Sequence, residues 1–252
     1  MDTMTQNTPI DPRFEREAML LGDDAVRLLS ERTVALFGLG GVGSYAAEAL
    51  ARSGVGKLVL VDCDVVSLSN INRQLCALED TVGLPKVSVV ADRLRKINPR
   101  IEITERYERF LPENAGDFDF SSYDFVIDAI DTVSGKIAIA LSAKEAGILM
   151  ISCMGTGNKL DPSALRVTDL AKTSVCPLAR VMRRELKARG ISHLPVIYSE
   201  EPPLSPLFFP EGEEKRHTPG SVAFVPSVAG LLAAGEAVKA LIAQAPRQDL
   251  NV

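Results

Sequence analysis

Apolar residues fall in short continuous runs separated by stretches whose apolar positions recur every three to four residues. Thr33–Phe37 (TVALF), Lys57–Val61 (KLVLV), Asp124–Asp128 (DFVID) and Ile148–Ser152 read as buried strands. Unbroken runs of that length suit a parallel sheet covered on both faces. Ile101–Thr104 and Leu165–Thr168 are weaker strand candidates. Between the strands, Tyr45–Arg52, Lys86–Ile97 and Val133–Ala146 read as helices. In the second of these Val87, Val90, Leu94 and Ile97 share a face, and Asn98-Pro99 ends the helix. The alternation predicts an α/β, Rossmann-like fold: a mostly parallel, doubly wound sheet with helices on both faces.

The pattern changes towards both ends. Residues 13–31 read as an amphipathic helical entry with Phe14, Ala18, Leu21, Ala25, Leu28 and Leu29 apolar. Residues 1–12 read as a disordered tail, and 13–246 as a single domain. After Gly157 the alternation weakens into an irregular C-terminal half. Pro177–Arg189 is a helix with Leu178, Val181, Met182 and Leu186 on one side and Arg180, Arg183, Arg184 and Lys187 on the other. Residues 202–219, with five prolines and an EGEEKR run, predict a mobile loop. Ser221 to Gly235 carries no charge but falls short of the roughly 20 residues of a membrane span. Pro226 and Gly230 interrupt it, so the final helix, about Ser227–Gln244, is expected to be a buried core helix.

Composition changes little in this picture. The 252 residues are 46% apolar and 24% charged, with net charge −5, so no global attraction to nucleic acid or membrane exists. The four cysteines, Cys63, Cys76, Cys153 and Cys176, lack C-x-x-C spacing, which argues against a zinc ribbon and for free thiols. The N-terminus has no apolar signal core, and a cytoplasmic protein is expected.

The candidate chemistry begins where the first strand ends. Gly38, Gly40, Gly41 and Gly43 fit the G-x-G-x-x-G spacing of a nucleotide-binding strand–turn–helix. Gly38 would allow the tight turn, Gly40 and Gly41 the approach of phosphate, and Gly43 close packing of helix on strand. Alone, this pattern predicts a dinucleotide dehydrogenase. Asp62, at the end of the second strand, suits ribose hydroxyls. The long connection 63–85 then groups Ser69-Asn70-Ile71-Asn72-Arg73-Gln74, which hydride transfer does not need. Asn70, Arg73 and the helix-opening Lys86 suit phosphate oxygens. In DAIDT, Asp131 is the better candidate for a magnesium ligand, and Asp128 is either a second ligand or a cap of the following segment. His193 and His217 are the only histidines, which weakens the case for an acid–base dehydrogenase.

The strings RFEREAMLLG (13–22), GLGGVGS (38–44), LVDCDVVSLSNINRQ (60–74), VGLPK (82–86), RKINP (95–99) and DAIDT (128–132) resemble the ubiquitin-activating-enzyme-like adenylyltransferases. PSVAGLLAAGEAVKAL (226–241) is similar to the closing helix of that superfamily. Within it, LDPSALRVTDLAKTSVCPLARVMRRELKARG (160–190) resembles the tRNA threonylcarbamoyladenosine dehydratases. The resemblance implies ATP and Mg2+, with a possible monovalent cation, and activation of a carboxylate. It places Gly41, Asn70, Arg73 and Lys86 at phosphate, Asp62 at ribose and Asp131 at magnesium. It also implies a homodimer in which Arg16 enters the partner subunit's site, a tRNA substrate contacted by the basic helix face, and room for a sulfur-transfer or accessory protein. The alternatives are adenylation of the C-terminus of a sulfur-carrier or ubiquitin-like protein, and an NAD-dependent dehydrogenase or nucleotide sensor. The VTDLAKT string (167–173) and the absent C-x-x-C pairs disfavour the sulfur-carrier reading, and the lack of a cysteine in HTPGSVAFVPSV before the closing helix argues against a covalent thioester step.

Overall fold

The computed structural model describes residues 9–208 and 219–243. Its seven strands form one sheet in the order β3-β2-β1-β4-β5-β7-β6. They are β1 (Thr33–Phe37), β2 (Lys57–Val61), β3 (Glu102–Arg106), β4 (Phe125–Asp128), β5 (Leu149–Cys153), β6 (Leu165–Asp169) and β7 (Pro195–Ser199). All pairings are parallel except β6 with β7. In register, Phe37 of β1 stands between Val61 of β2 and Asp128 of β4. The winding direction reverses between β1 and β4, so a crevice opens beyond their carboxyl ends.

Two apolar layers explain the runs in the sequence. On one face α2 (Asp23–Glu31), α3 (Gly43–Arg52), α4 (Lys86–Ile97) and α7 (Phe224–Ala243) bury Leu29, Leu50, Leu94 and Ala233 against Leu36, Leu58 and Ile127. On the other, α5 (Val133–Ala146) and α6 (Pro177–Ala188) bury Ile139, Met182 and Leu186 against Ala35, Phe37 and Val126. Here Phe37 is ringed by Phe110, Phe118 and Phe120, with centroids 4.9, 5.7 and 5.7 Å away. These aromatics wedge the segment after β3 beneath the crevice.

Several expectations are corrected. The helical entry breaks at Gly22 (φ +84°) into α1 (Glu15–Leu21) and α2. Residues 11 and 12 are not loose: Asp11 caps a short turn over Pro12–Phe14 and pairs with Arg13 and Arg100 at 2.6 Å each. The C-terminal half is more regular than its pattern, because β7 extends the parallel sheet and β6 closes it in the opposite direction. Of the 202–219 segment, residues 209–218 lie outside the described residues, and Leu204 N is tied to Asn158 O at 2.8 Å. α7 begins at Phe224 and runs through Pro226 and Gly230. Pro226 sits in the first turn, where a missing N–H costs nothing. α7 alone among the described helices is long and apolar enough to cross a membrane, and it is spent on the core, with Val225, Ala229, Ala233, Ala237 and Leu241 buried. All four cysteines are free thiols.

Candidate active site

The glycine turn divides its labour. Gly38 has φ +90°, and a Cβ there would lie 2.7 Å from Ala129 O on the next loop. A Cβ on Gly43 would lie 1.8 Å from Gly38 O, so this glycine lets α3 begin directly behind the strand. Gly40 is open, its nearest neighbour being Gln74 Nε2 at 3.8 Å. Gly41 is packed by Pro226 of α7 at 3.1 Å and by Arg73 O at 3.4 Å. The turn thus offers bare backbone and the start of α3 to an anion.

A cavity of about 740 Å³ lies over this turn. Gly38, Gly40, Gly41, Asp62, Asn70, Arg73, Lys86 and Asp131 all line it. Gly43 stands one layer behind, inside α3. Asp62 accepts from Leu39 N at 2.6 Å and from Asp64 N at 2.8 Å, one bond to each oxygen. A carboxylate has about four lone-pair sites, which leaves two for ligand hydroxyls. Burial pushes the Asp62 carboxyl above the ordinary range, opposed by the Lys86 charge and by both N–H bonds. Lys86 is buried, and its Nζ donates to Asp64 Oδ2 at 2.8 Å. Against the effect of partial burial, this contact holds the Asp64 carboxyl below its usual range.

The segment after β2 is held by its own side chains. Asn70 Oδ1 accepts from Ser67 N at 3.2 Å, which shapes the turn. Arg73 Nη1 donates to Ser69 O and to Asn72 Oδ1, both at 2.9 Å. Asn72 Nδ2 donates to Ser221 O at 2.9 Å, tying this wall to the segment before α7. Burial lowers the Arg73 pKa from its ordinary value. Asp131 is exposed and lines the cavity from the loop between β4 and α5.

Other candidate residues are placed elsewhere. Asp128 is fully buried and accepts both Lys136 Nζ, at 3.0 Å to each oxygen, and Ser152 Oγ. It is an internal ion pair, not a second metal ligand. Arg16 is exposed on α1 and does not line the cavity of its own chain. The basic face of α6 also lies off the cavity. Arg183 is half-buried and donates to Thr173 O and Thr173 Oγ1 at 2.7 Å, so it fastens α6 and is no free phosphate contact. Arg184 pairs with Glu185 at 2.7 Å, whereas Arg180 and Lys187 are exposed.

Sequence reasoning did not single out Asp64, Arg109, Thr156 or Lys136. Asp64, Arg109 and Thr156 line the cavity, with Arg109 Nε 3.4 Å from Cys63 Sγ. The D-x-D spacing of Asp62 and Asp64 was the available signal. Nothing local marks Arg109, which the segment after β3 carries back over the mouth.

A nucleoside triphosphate fits this arrangement: open glycine backbone, a carboxylate with spare acceptors, and cationic Arg73 and Lys86 on one wall. Comparison with known proteins agrees. The ThiF family model matches residues 14–251. The chain belongs to the ThiF family. Among relatives, the tRNA threonylcarbamoyladenosine dehydratase of Bacillus subtilis is 41% identical over 91% of this chain and 94% of its own. The crystal structure of the Escherichia coli tRNA threonylcarbamoyladenosine dehydratase in complex with ATP superposes with a TM-score of 0.86 at 36% identity, covering 96% of this chain and 100% of that one. Another relative, the molybdopterin-synthase adenylyltransferase of Salmonella typhimurium, is 37% identical over 56% of this chain and 57% of its own. This ThiF member therefore matches the molybdopterin-synthase adenylyltransferase over little more than half of its length and the tRNA dehydratases over more than nine tenths of it.

Proposed function

We propose that this protein is an ATP-dependent tRNA dehydratase that cyclises threonylcarbamoyladenosine. The observation carrying this reading is the cavity in which Asp62, Asn70, Arg73, Lys86 and Asp131 converge on the open glycine turn, in a chain matched over 91% of its length by a dehydratase. A threonyl carboxylate is a poor electrophile. Its oxygen attacks the α-phosphorus of ATP, the bond to the β-phosphate oxygen breaks, and pyrophosphate leaves. The carbamoyl nitrogen then attacks the activated carbonyl, its proton is released, and AMP departs as the five-membered ring closes. Holding the reacting groups together supplies most of the second step.

Each residue has a place in that sequence. Asp62 holds the ribose through its two spare acceptor sites. Gly40 and Gly41 offer backbone to the phosphates, and Asn70 orients them. Arg73 and Lys86 neutralise the departing pyrophosphate, and Lys86 exchanges Asp64 for phosphate oxygen as it does so. Among the described residues no three His, Cys, Asp or Glu side chains converge. Asp131 would hold Mg2+ together with phosphate oxygens and waters, the usual magnesium arrangement. The ion would supply charge neutralisation at the phosphates. The test is incubation with ATP, Mg2+ and tRNA bearing the modification, followed by digestion and mass analysis of nucleosides. Loss of one water from the modified adenosine, dependent on ATP, is expected. Unchanged modified tRNA with active-site-competent protein would sink the assignment. Adenylation of a carrier-protein tail is less well supported, since that relative matches only about half of the chain. Action on tRNA would place the protein in the cytoplasm.

The tRNA contact narrows to Arg180 and Lys187. They lie seven residues, and so about two turns, apart on one face of α6. Arg180→Glu with Lys187→Glu is expected to raise the KM for tRNA about tenfold and leave the KM for ATP unchanged. The salt dependence of tRNA binding should flatten by about two contacts. A KM for tRNA equal to that of the parent would remove α6 from the interface.

A homodimer with shared sites accounts for Arg16. On α1 it is flanked by Met19 and Leu20, 83% and 85% exposed, and the connection after β2 exposes Leu68, Leu78 and Leu84. Exposed large apolar side chains on these two segments would suit a contact surface. Arg16→Ala and Lys86→Ala variants should each be inactive, yet mixing them with subunit exchange should restore roughly a quarter of parental activity, because each mixed dimer rebuilds one intact site. No recovery despite demonstrated exchange would put Arg16 back in its own subunit.

A further inference from the structure

We infer that Lys136 is a positioning residue, which through Asp128 and Ser152 holds the Asp131 loop at a fixed reach from the glycine turn. This rests on the reading of Asp131 as the magnesium ligand. Lys136 comes from the first turn of α5 and has no exposed surface. Its Nζ lies 3.0 Å from each oxygen of Asp128, 2.7 Å from Cys153 O and 3.4 Å from Ser152 Oγ. Ser152 Oγ donates in turn to Asp128 Oδ2. The ammonium therefore joins three elements at one point: the end of β4, the end of β5 and the start of α5.

What leaves that point is the site. Asp128 Oδ1 also accepts from Ile130 N at 3.3 Å, which bends the chain so that Asp131 enters the cavity wall. Ala129 is pressed against Gly38, with space for no Cβ between them. From the other side Gly135 admits Ile130 Cδ1 and Thr132 Oγ1, which a Cβ there would meet at 2.6 and 2.9 Å. The loop 129–132 is thus clamped between phosphate turn and helix, and the Asp128 carboxylate bonds its backbone from below. Cys153 O, the other acceptor of Lys136, lies just before the segment carrying Thr156 and Gly157 to the same cavity.

Stability alone does not account for such a pair. Two charges taken out of water are often replaced by apolar side chains of similar volume at no loss of stability. What apolar side chains lack is direction. Partners just behind metal ligands typically change metal affinity ten- to a hundredfold when removed.

The test compares Asp128→Leu/Lys136→Met, Ser152→Ala and Asp131→Asn with the parent. Half-saturation by Mn2+ is read by electron paramagnetic resonance in the presence of a non-hydrolysable ATP analogue, beside kcat and KM for ATP. The double variant should keep the parental melting temperature within a few degrees, weaken Mn2+ binding about tenfold or more, and lower kcat with little change in KM. Ser152→Ala removes a single hydroxyl and serves if the double variant does not fold; it should weaken Mn2+ binding by a few-fold. If Asp131→Asn weakens Mn2+ binding and Ser152→Ala and any folded double variant bind like the parent, the positioning role is wrong. If Asp131→Asn itself binds like the parent, the metal reading of Asp131 is wrong and the inference falls with it.

Discussion

Replacing Arg73 by alanine is expected to lower turnover by about a hundred- to a thousandfold, the usual loss when a preorganised group facing transition-state charge is removed. Arg73 is the cation on the cavity wall after β2, and its guanidinium is aimed by Ser69 O and Asn72 Oδ1 rather than by an acidic partner. Its charge is therefore not already neutralised when phosphate arrives. Lysine at this position would restore charge without the planar fork and should recover only part of the loss. Exchange of labelled pyrophosphate into ATP in the presence of modified tRNA isolates the first step. An exchange rate equal to that of the parent would remove Arg73 from the phosphate site. Because Arg73 also bonds Ser69 O, the melting temperature must be measured beside the rate.

The second large effect is on stability, and it comes with its own control. A Cβ on Gly230 would lie 2.2 Å from Val42 O and 3.0 Å from Tyr45 Cβ, so α7 touches α3 through bare backbone. Gly230→Ala should destabilise by about 1–3 kcal/mol, lowering the melting temperature by roughly 2–4 °C for each kcal/mol in a chain of this size. ATP affinity should fall with it, since Pro226 at the start of the same helix walls Gly41. Gly235 lies five residues further along α7 and has nothing within 4 Å of an added Cβ. Gly235→Ala should raise stability by about 0.5–1 kcal/mol through helix propensity alone. If both substitutions move the melting temperature in the same direction, the α3–α7 contact is not as close as described.

The legible parts of the fold were those written in local pattern. β1, β2, α4 and α5 have the bounds read from the sequence: the strands are continuous apolar runs, α4 has a clean helical period ended by Asn98-Pro99, and α5 is an Ala-rich segment stopped by Gly147. The site residues that line the cavity were legible for a related reason: they follow the ends of consecutive strands, where an open sheet puts its ligand. Apart from local features such as the Asp62-x-Asp64 pair and the break at Gly22, the misses are non-local. β7 is a strand only because β5 and β6 offer edges to Pro195–Ser199. Lys136 looks like an exposed helix lysine until α5 turns it onto Asp128. Arg183 sits on a basic face, yet Thr173 reaches it from the preceding turn. Charge pattern on a helix says which side is polar and not which polar groups already have partners.

The bond from Asn72 to Ser221 joins residues 149 positions apart, and Pro226 abuts Gly41 beside it. The cavity floor therefore comes from the first βα unit and one wall from the approach to α7. A nucleotide bound there acts as a clasp between distant parts of the chain. Any ligand that binds only the joined state stabilises it by RT ln(1 + [L]/Kd), about 2.7 kcal/mol at a hundred times Kd. Under the proposed reaction ATP would therefore be both a reactant and a reversible cross-link between the phosphate turn and the approach to α7.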